Sequence, residues 1–182
     1  MAKTLEEISD ELKAWVLRQP MFFVASAPLD TSGLVNCSPK GLNSLRVLGP
    51  KRVAYLDLTG SGAETAAHVR ENGRLVIMLN AFSGPPRIVR FHGKARVVFP
   101  GDSEWEELFA QFDPIAGARA IFVLDAERIS DSCGFAVPEM EYKGQRDTLV
   151  KWAERKGDEG VQRYQAEKNG ESLDGLPAVP KG

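Results

Sequence analysis

The chain has 182 residues, 43% of them hydrophobic, and its 23 basic and 25 acidic side chains leave a formal charge of -2. That length supports one substantial core, and the interspersed charges leave neither a basic face for nucleic acid nor a polybasic patch for a membrane. No apolar run approaches the roughly 20 residues that cross a bilayer, and the acidic start (Glu6, Glu7, Asp10, Glu11) does not resemble a secretory leader, so a cytoplasmic location is expected.

Thr4-Leu5-Glu6-Glu7 fits a capping box, and Leu5, Ile8, Leu12, Trp15 and Val16 follow at helical spacing until Pro20. The pattern predicts an N-terminal packing helix. From Phe22 the texture changes to short β-branched and aromatic runs between turn residues: FFVASA, LVNCS, VAYLDL, RLVIML, RIVRFHGKARVVF and AIFVLDAERIS. Six strands at this spacing predict a mainly β (α+β) barrel or sandwich.

Two helices interrupt the strands, one after Gly62 and one over DSEWEELFAQF, where Asp102 or Ser103 would cap a face of Trp105, Leu108, Phe109 and Phe112. Residues 146–182 read as a helical tail on the barrel, anchored by Leu149, Trp152, Val161 and Tyr164. Its last residues, LPAVPKG, are expected to be loose. Residues 1–145 would then form the domain proper. Cys37 and Cys133 are expected as free thiols.

Conventional catalytic groupings are missing. No His, Cys and carboxylate cluster has metal-ligand spacing, and His68 and His92 fit ordinary placements. What remains is the loop Thr59-Gly60-Ser61-Gly62, which feeds a helix beginning Ala63-Glu64-Thr65 and ending at Asn72-Gly73. A helix N-terminus offers free N–H groups to phosphate but only about half an elementary charge, so a dianion needs a further cation. One strand earlier, Asn36-Cys37-Ser38-Pro39-Lys40-Gly41 brings small polar side chains and that lysine. Glu64 must point outward if a phosphate sits there.

These segments in this order, NCSPKG, VAYLDL, TGSG, a helix with Thr65, ENGR, LVIMLN and PRIVRFHGKARVV, resemble the pyridoxamine 5'-phosphate oxidase-related FMN-binding split barrels over roughly residues 15–135. The resemblance implies a six-stranded antiparallel Greek-key split barrel with flanking helices. It also implies FMN as cofactor, bound in a homodimer at the subunit interface. Carried over, it places Asn36, Ser38, Lys40 and Gly41 near the ribityl phosphate or the flavin edge. Thr59, Gly60, Ser61, Gly62 and Thr65 fall on the phosphate, and Arg87 on the isoalloxazine ring. The vitamin B6 oxidase has an Arg-Lys pair where this chain has Glu64 and Thr65. The expectation is therefore a different member: an FMN-dependent oxidoreductase of unassigned substrate. The alternatives are a non-catalytic flavin or small-molecule binder, and a relative using F420 or haem.

Overall fold

The computed structural model describes residues 3–180. Eight strands form one antiparallel sheet: β1 (Lys3–Leu5), β2 (Phe22–Ser26), β3 (Asn36–Lys40), β4 (Leu45–Gly49), β5 (Arg52–Leu58), β6 (Arg74–Asn80), β7 (Ile88–Val98) and β8 (Ala118–Ser132). Their spatial order is β3-β2-β6-β7-β8-β5-β4, with β1 added to β8. The sheet curls into a split barrel, as expected, but with two more strands than the six read from the sequence. β4 hides its strand character behind Arg46, whose guanidinium instead hydrogen-bonds the carbonyl oxygens of Asn43, Leu45 and Gln111.

β1 also corrects the N-terminal reading. Thr4 pairs with Ser130 in the sheet, so it caps nothing. The helix starts later, at Asp10, with Ser9 accepting a hydrogen bond from the Leu12 N–H; α1 runs over Asp10–Leu17. Its Leu12 and Val16 enter the core, and burying each contributes roughly 1.5–3 kcal/mol.

β5 reads as an unbroken buried run because both of its faces are covered. Val53 and Tyr55 join the main core, while Ala54 and Leu56 join a second cluster with Val98, Trp105, Phe112, Ile121 and Val123. The helix supplying that cluster, α3 (Trp105–Phe109), is shorter than the sequence suggested. Neither Asp102 nor Ser103 caps it: the Asp102 carboxylate accepts from the Phe99 N–H and closes the preceding turn.

Two bulges bend the long strands. One lies between His92 and Gly93, where an added Cβ would stand 2.0 Å from the Asp125 carbonyl oxygen, so only glycine fits. The other lies between Asp57 and Leu58, opposite the stretch of β8 that contains Arg119.

α2 (Glu64–Asn72) is enclosed, with five consecutive residues, Thr65 to Val69, buried. It stops where Gly73 turns left-handed at φ 70° and its N–H reaches the Val69 carbonyl. α4 (Thr148–Lys168) follows the barrel, kinked at Gly157, and Val161 is its buried anchor. The segment beyond it is not loose as far as it is described; Lys181 and Gly182, the last two of the LPAVPKG stretch, lie outside the described residues. Ala178 and Val179 are buried, their N–H groups bond to Gly170 and Asn169, and Arg70 reaches the Ala178 carbonyl. Cys37 and Cys133 are free and exposed.

Candidate functional site

The mouth of the barrel holds a cavity of about 300 Å³ between β3, the end of β5 and the start of α2. Asn36, Ser38, Lys40, Gly60, Gly62 and Thr65 line it together. They come from two places some 20 residues apart because β3 presents every second side chain to one face. On that face Ser38 donates to Asn36 Oδ1 at 3.2 Å, and Asn36 donates to Thr65 Oγ1 at 3.0 Å. Thr65, in the first turn of α2, is thus fixed by β3.

Two residues central to this cavity were not anticipated. Asp57 and Arg119 are 2% and 5% exposed. Arg119 grips Asp57 Oδ2 through Nη2 at 2.6 Å and Nε at 2.9 Å, and its third nitrogen donates to the Gly62 carbonyl at 3.0 Å. Lys40 takes the other carboxylate oxygen, Nζ to Oδ1, at 2.8 Å. Burial alone would raise the Asp57 carboxyl, but the Lys40 ammonium and the Arg119 guanidinium outweigh it and hold it below the usual 3.8. The lysine is therefore not a free countercharge. It belongs to a triad, with Asp57 and Arg119 buried and Lys40 partly exposed, that has one positive charge to spare. A lone Asp inside VAYLDL and a lone Arg inside ARAIFVL, opposite in sign and each set in an apolar run, are the signal that could have found the pair.

Below the triad, Tyr55 stacks on Phe122 with ring centroids 4.8 Å apart and Lys40 Nζ stands 5.9 Å from the Tyr55 ring. Burial, then the Asp57 charge, raise the Tyr55 phenol well above its ordinary 10.0. It stays neutral, and Phe122, on which it stacks, lines the cavity.

The remaining expected residues lie around this cavity. Thr59 is buried, and its hydroxyl donates to Gly117 O at 2.9 Å and accepts from Gln165 Nε2 at 2.7 Å. Ser61 is exposed and faces α4 across Trp152 and Tyr164. Asn169, wholly buried, donates to Gly60 O at 3.0 Å and Ser61 O at 3.4 Å. Gln165 and Asn169 thus fix the loop's shape from its rear, through the Thr59 hydroxyl and the Gly60 and Ser61 carbonyls.

Gly41 lines a neighbouring groove of about 470 Å³ with Met21, Leu42, Phe82 and Tyr142. This groove shares Pro39 and Lys40 with the first cavity, and it shares Phe82, Met140 and Tyr142 with an open cleft of about 1250 Å³. Arg87 stands in that cleft, bidentate to Asp131 with the shortest contact at 2.7 Å, its guanidinium 4.9 Å from the Trp15 ring centroid. Asp131 neutralises it, so Arg87 offers a fixed N–H edge and a flat face.

Glu64 departs furthest from expectation. It lines the cavity instead of pointing outward, lies against Gly62, and leaves Oε2 buried with no hydrogen-bond partner. For a phosphate the donor set nevertheless fits: the first-turn N–H groups of α2, the Thr65 and Ser38 hydroxyls and the surplus cation converge on one cavity. Only the Glu64 carboxylate opposes it.

Comparison with known proteins agrees with this architecture. Residues 8–133 match the family described as Pyridoxamine 5'-phosphate oxidase. A curated relative, pyridoxamine 5'-phosphate oxidase family protein ustO of Aspergillus flavus, is 40% identical over 96% of this chain and 76% of its own. Among solved structures, Group A Streptococcus HupZ is 26% identical with a TM-score of 0.53, covering 67% of this chain and 91% of that one. A Lactobacillus delbrueckii structure, provisionally named for the same oxidase, has the same fold at 20% identity and a TM-score of 0.53, over 70% of this chain and 98% of its own.

Proposed function

This chain belongs to the pyridoxamine 5'-phosphate oxidase family, and from that membership we propose that it is an FMN-dependent oxidoreductase whose substrate is unassigned. The observation that carries the reading is the union of two unlike spaces: a small polar cavity with a surplus cation, and an apolar groove joined to it through Pro39 and Lys40. A ligand filling both is anionic at one end and flat and apolar at the other. Flavin mononucleotide has that form, and when bound it supplies two-electron chemistry at its ring.

Under this reading the chain's own residues bind and orient. The N–H groups opening α2, the Thr65 hydroxyl and the Arg119–Asp57–Lys40 triad hold the phosphate. Gly41, Phe82 and Tyr142 flank the ring and keep water from its faces. Arg87, held by Asp131 and Trp15, presents an N–H edge in the cleft that adjoins the groove. The groove's outer lip carries Met140 and Tyr142, each more than half exposed, and Phe135, a few residues earlier in the chain, is 82% exposed. A second copy of the chain covering this lip completes each site and makes the protein a homodimer.

The test is absorbance. Purified protein, or apoprotein given FMN, should show the oxidised flavin bands, and anaerobic NADH or NADPH should bleach them. No flavin uptake removes the reading. Uptake without reduction by any donor favours a passive flavin binder, and a Soret band on adding haem favours a haem-binding relative.

A further inference from the structure

The Glu64 carboxylate sits where a ligand's phosphate would sit. It stands at the first residue of a nine-residue helix whose cap residue, Ala63, provides no side-chain hydrogen bond. Its Oε1 lies 3.3 Å from where a Gly62 Cβ would be, and its Oε2 is buried without a partner. A buried carboxylate oxygen left unpaired is costly, so its place needs a reason. Charge supplies one. Lys40 and Arg119 both pair with Asp57 and line the cavity together with Glu64, and the four side chains together are neutral. A phosphate dianion added to that set would bring uncompensated negative charge into the cavity. With Glu64 turned out to solvent, the surplus cation and the helix N-terminus, worth about half a charge, come close to matching the dianion.

We propose that Glu64 is a tethered competitor of the ligand's phosphate: its carboxylate holds the cavity neutral until a phosphate displaces it, and so sets how strongly the protein discriminates flavins with a phosphate from those without. This rests on the reading of the cavity and groove as a flavin site. Displacement requires only rotation of one side chain that is partly exposed and bonded to nothing. The vitamin B6 oxidase pattern has no such competitor, because cations stand at the matching helix positions. In this chain a cation of the cavity comes from β8, as Arg119, and Glu64 stands at the start of the helix.

Titrating apoprotein with FMN and with riboflavin, followed by quenching of flavin fluorescence, separates the possibilities. Glu64→Gln keeps the side chain's size and removes its charge. It should tighten FMN tenfold or more and leave riboflavin within twofold, and Glu64→Ala should do the same. Both flavins bound by wild type and variants with equal changes, or with none, would overturn the competitor role while leaving the flavin site standing. Neither flavin bound by any form would remove the flavin reading, and the competitor with it. FMN bound by the glutamine variant but not by wild type would be the strongest support.

Discussion

Asp57 governs its surroundings. Its carboxylate is the one acceptor that both Lys40 and Arg119 engage with their charged nitrogens, and Arg119 is 5% exposed. Replacing Asp57 by Ala leaves a guanidinium buried without its counter-ion, a loss of about 3–5 kcal/mol. Urea denaturation should read that loss directly. The depressed carboxyl also sets an acid limit: its contribution is present above the ordinary 3.8 and fades as the pH falls through the lower folded value.

His68 sets a second, milder limit. It is wholly buried, with Nδ1 bonded to Ser26 Oγ at 2.9 Å and Nε2 unpaired. Burial pulls its pKa below the usual 6.5, outweighing the pull of Asp174, Glu64 and Glu71. A base whose folded pKa is depressed stays neutral in the fold while the unfolded chain takes the proton. Stability is therefore full above about 6.5 and declines as the pH drops towards the folded value. The melting temperature of His68→Gln should fall less than that of wild type between pH 7 and pH 5. A remaining slope is expected from His92, which is depressed in the same direction by burial and then by Arg90 and Arg128.

At the scale of elements, α4 works as a brace. Gln165 and Asn169, at its end, hold the hydroxyl of Thr59 and the carbonyls of Gly60 and Ser61 from behind. Removing a buried amide leaves acceptors unpaired at a cost of roughly 1–3 kcal/mol. Asn169→Ala should therefore weaken FMN binding about tenfold or more, even though the side chain lies behind the loop, and calorimetric titration would show it. The same brace explains what sequence reading reached and what it did not. Thr59-Gly60-Ser61-Gly62 was legible as a turn into a helix, and with NCSPKG it located the cavity. Which side of the turn each residue serves was not legible, because that depends on Gln165 and Asn169, more than a hundred residues away. Arg119 was hidden for a related reason: it is the extra residue of a bulge in β8, between Ala118 opposite Leu58 and Ala120 opposite Asp57, which frees it from strict alternation. β1 escaped because three residues pairing with the far end of β8 carry no period of their own.

For the whole molecule, the sheet leaves an apolar rim. Met140 and Tyr142 on the groove, and Phe135 a few residues before them in the chain, are all more than half exposed, a pattern that marks an interaction surface more often than free surface. The proposed homodimer predicts a sedimentation mass of two chains at micromolar concentration. Phe135→Asp should shift it towards one chain and weaken FMN binding in the same samples. Two-chain mass in both proteins would place the interface elsewhere.

β8 pairs with β1, β5 and β7, and this has a consequence for the order in which the molecule assembles. Its partners lie up to about 130 positions away in the chain, and contacts of that separation form slowly because loop closure must precede any gain. Until β8 docks, β5 lacks its longest neighbour, Asp57 has no Arg119, and the cavity has only Lys40 as its cation. Affinity for the cofactor should then appear late in refolding, after most of the secondary structure, and stopped-flow far-ultraviolet circular dichroism should run ahead of flavin quenching.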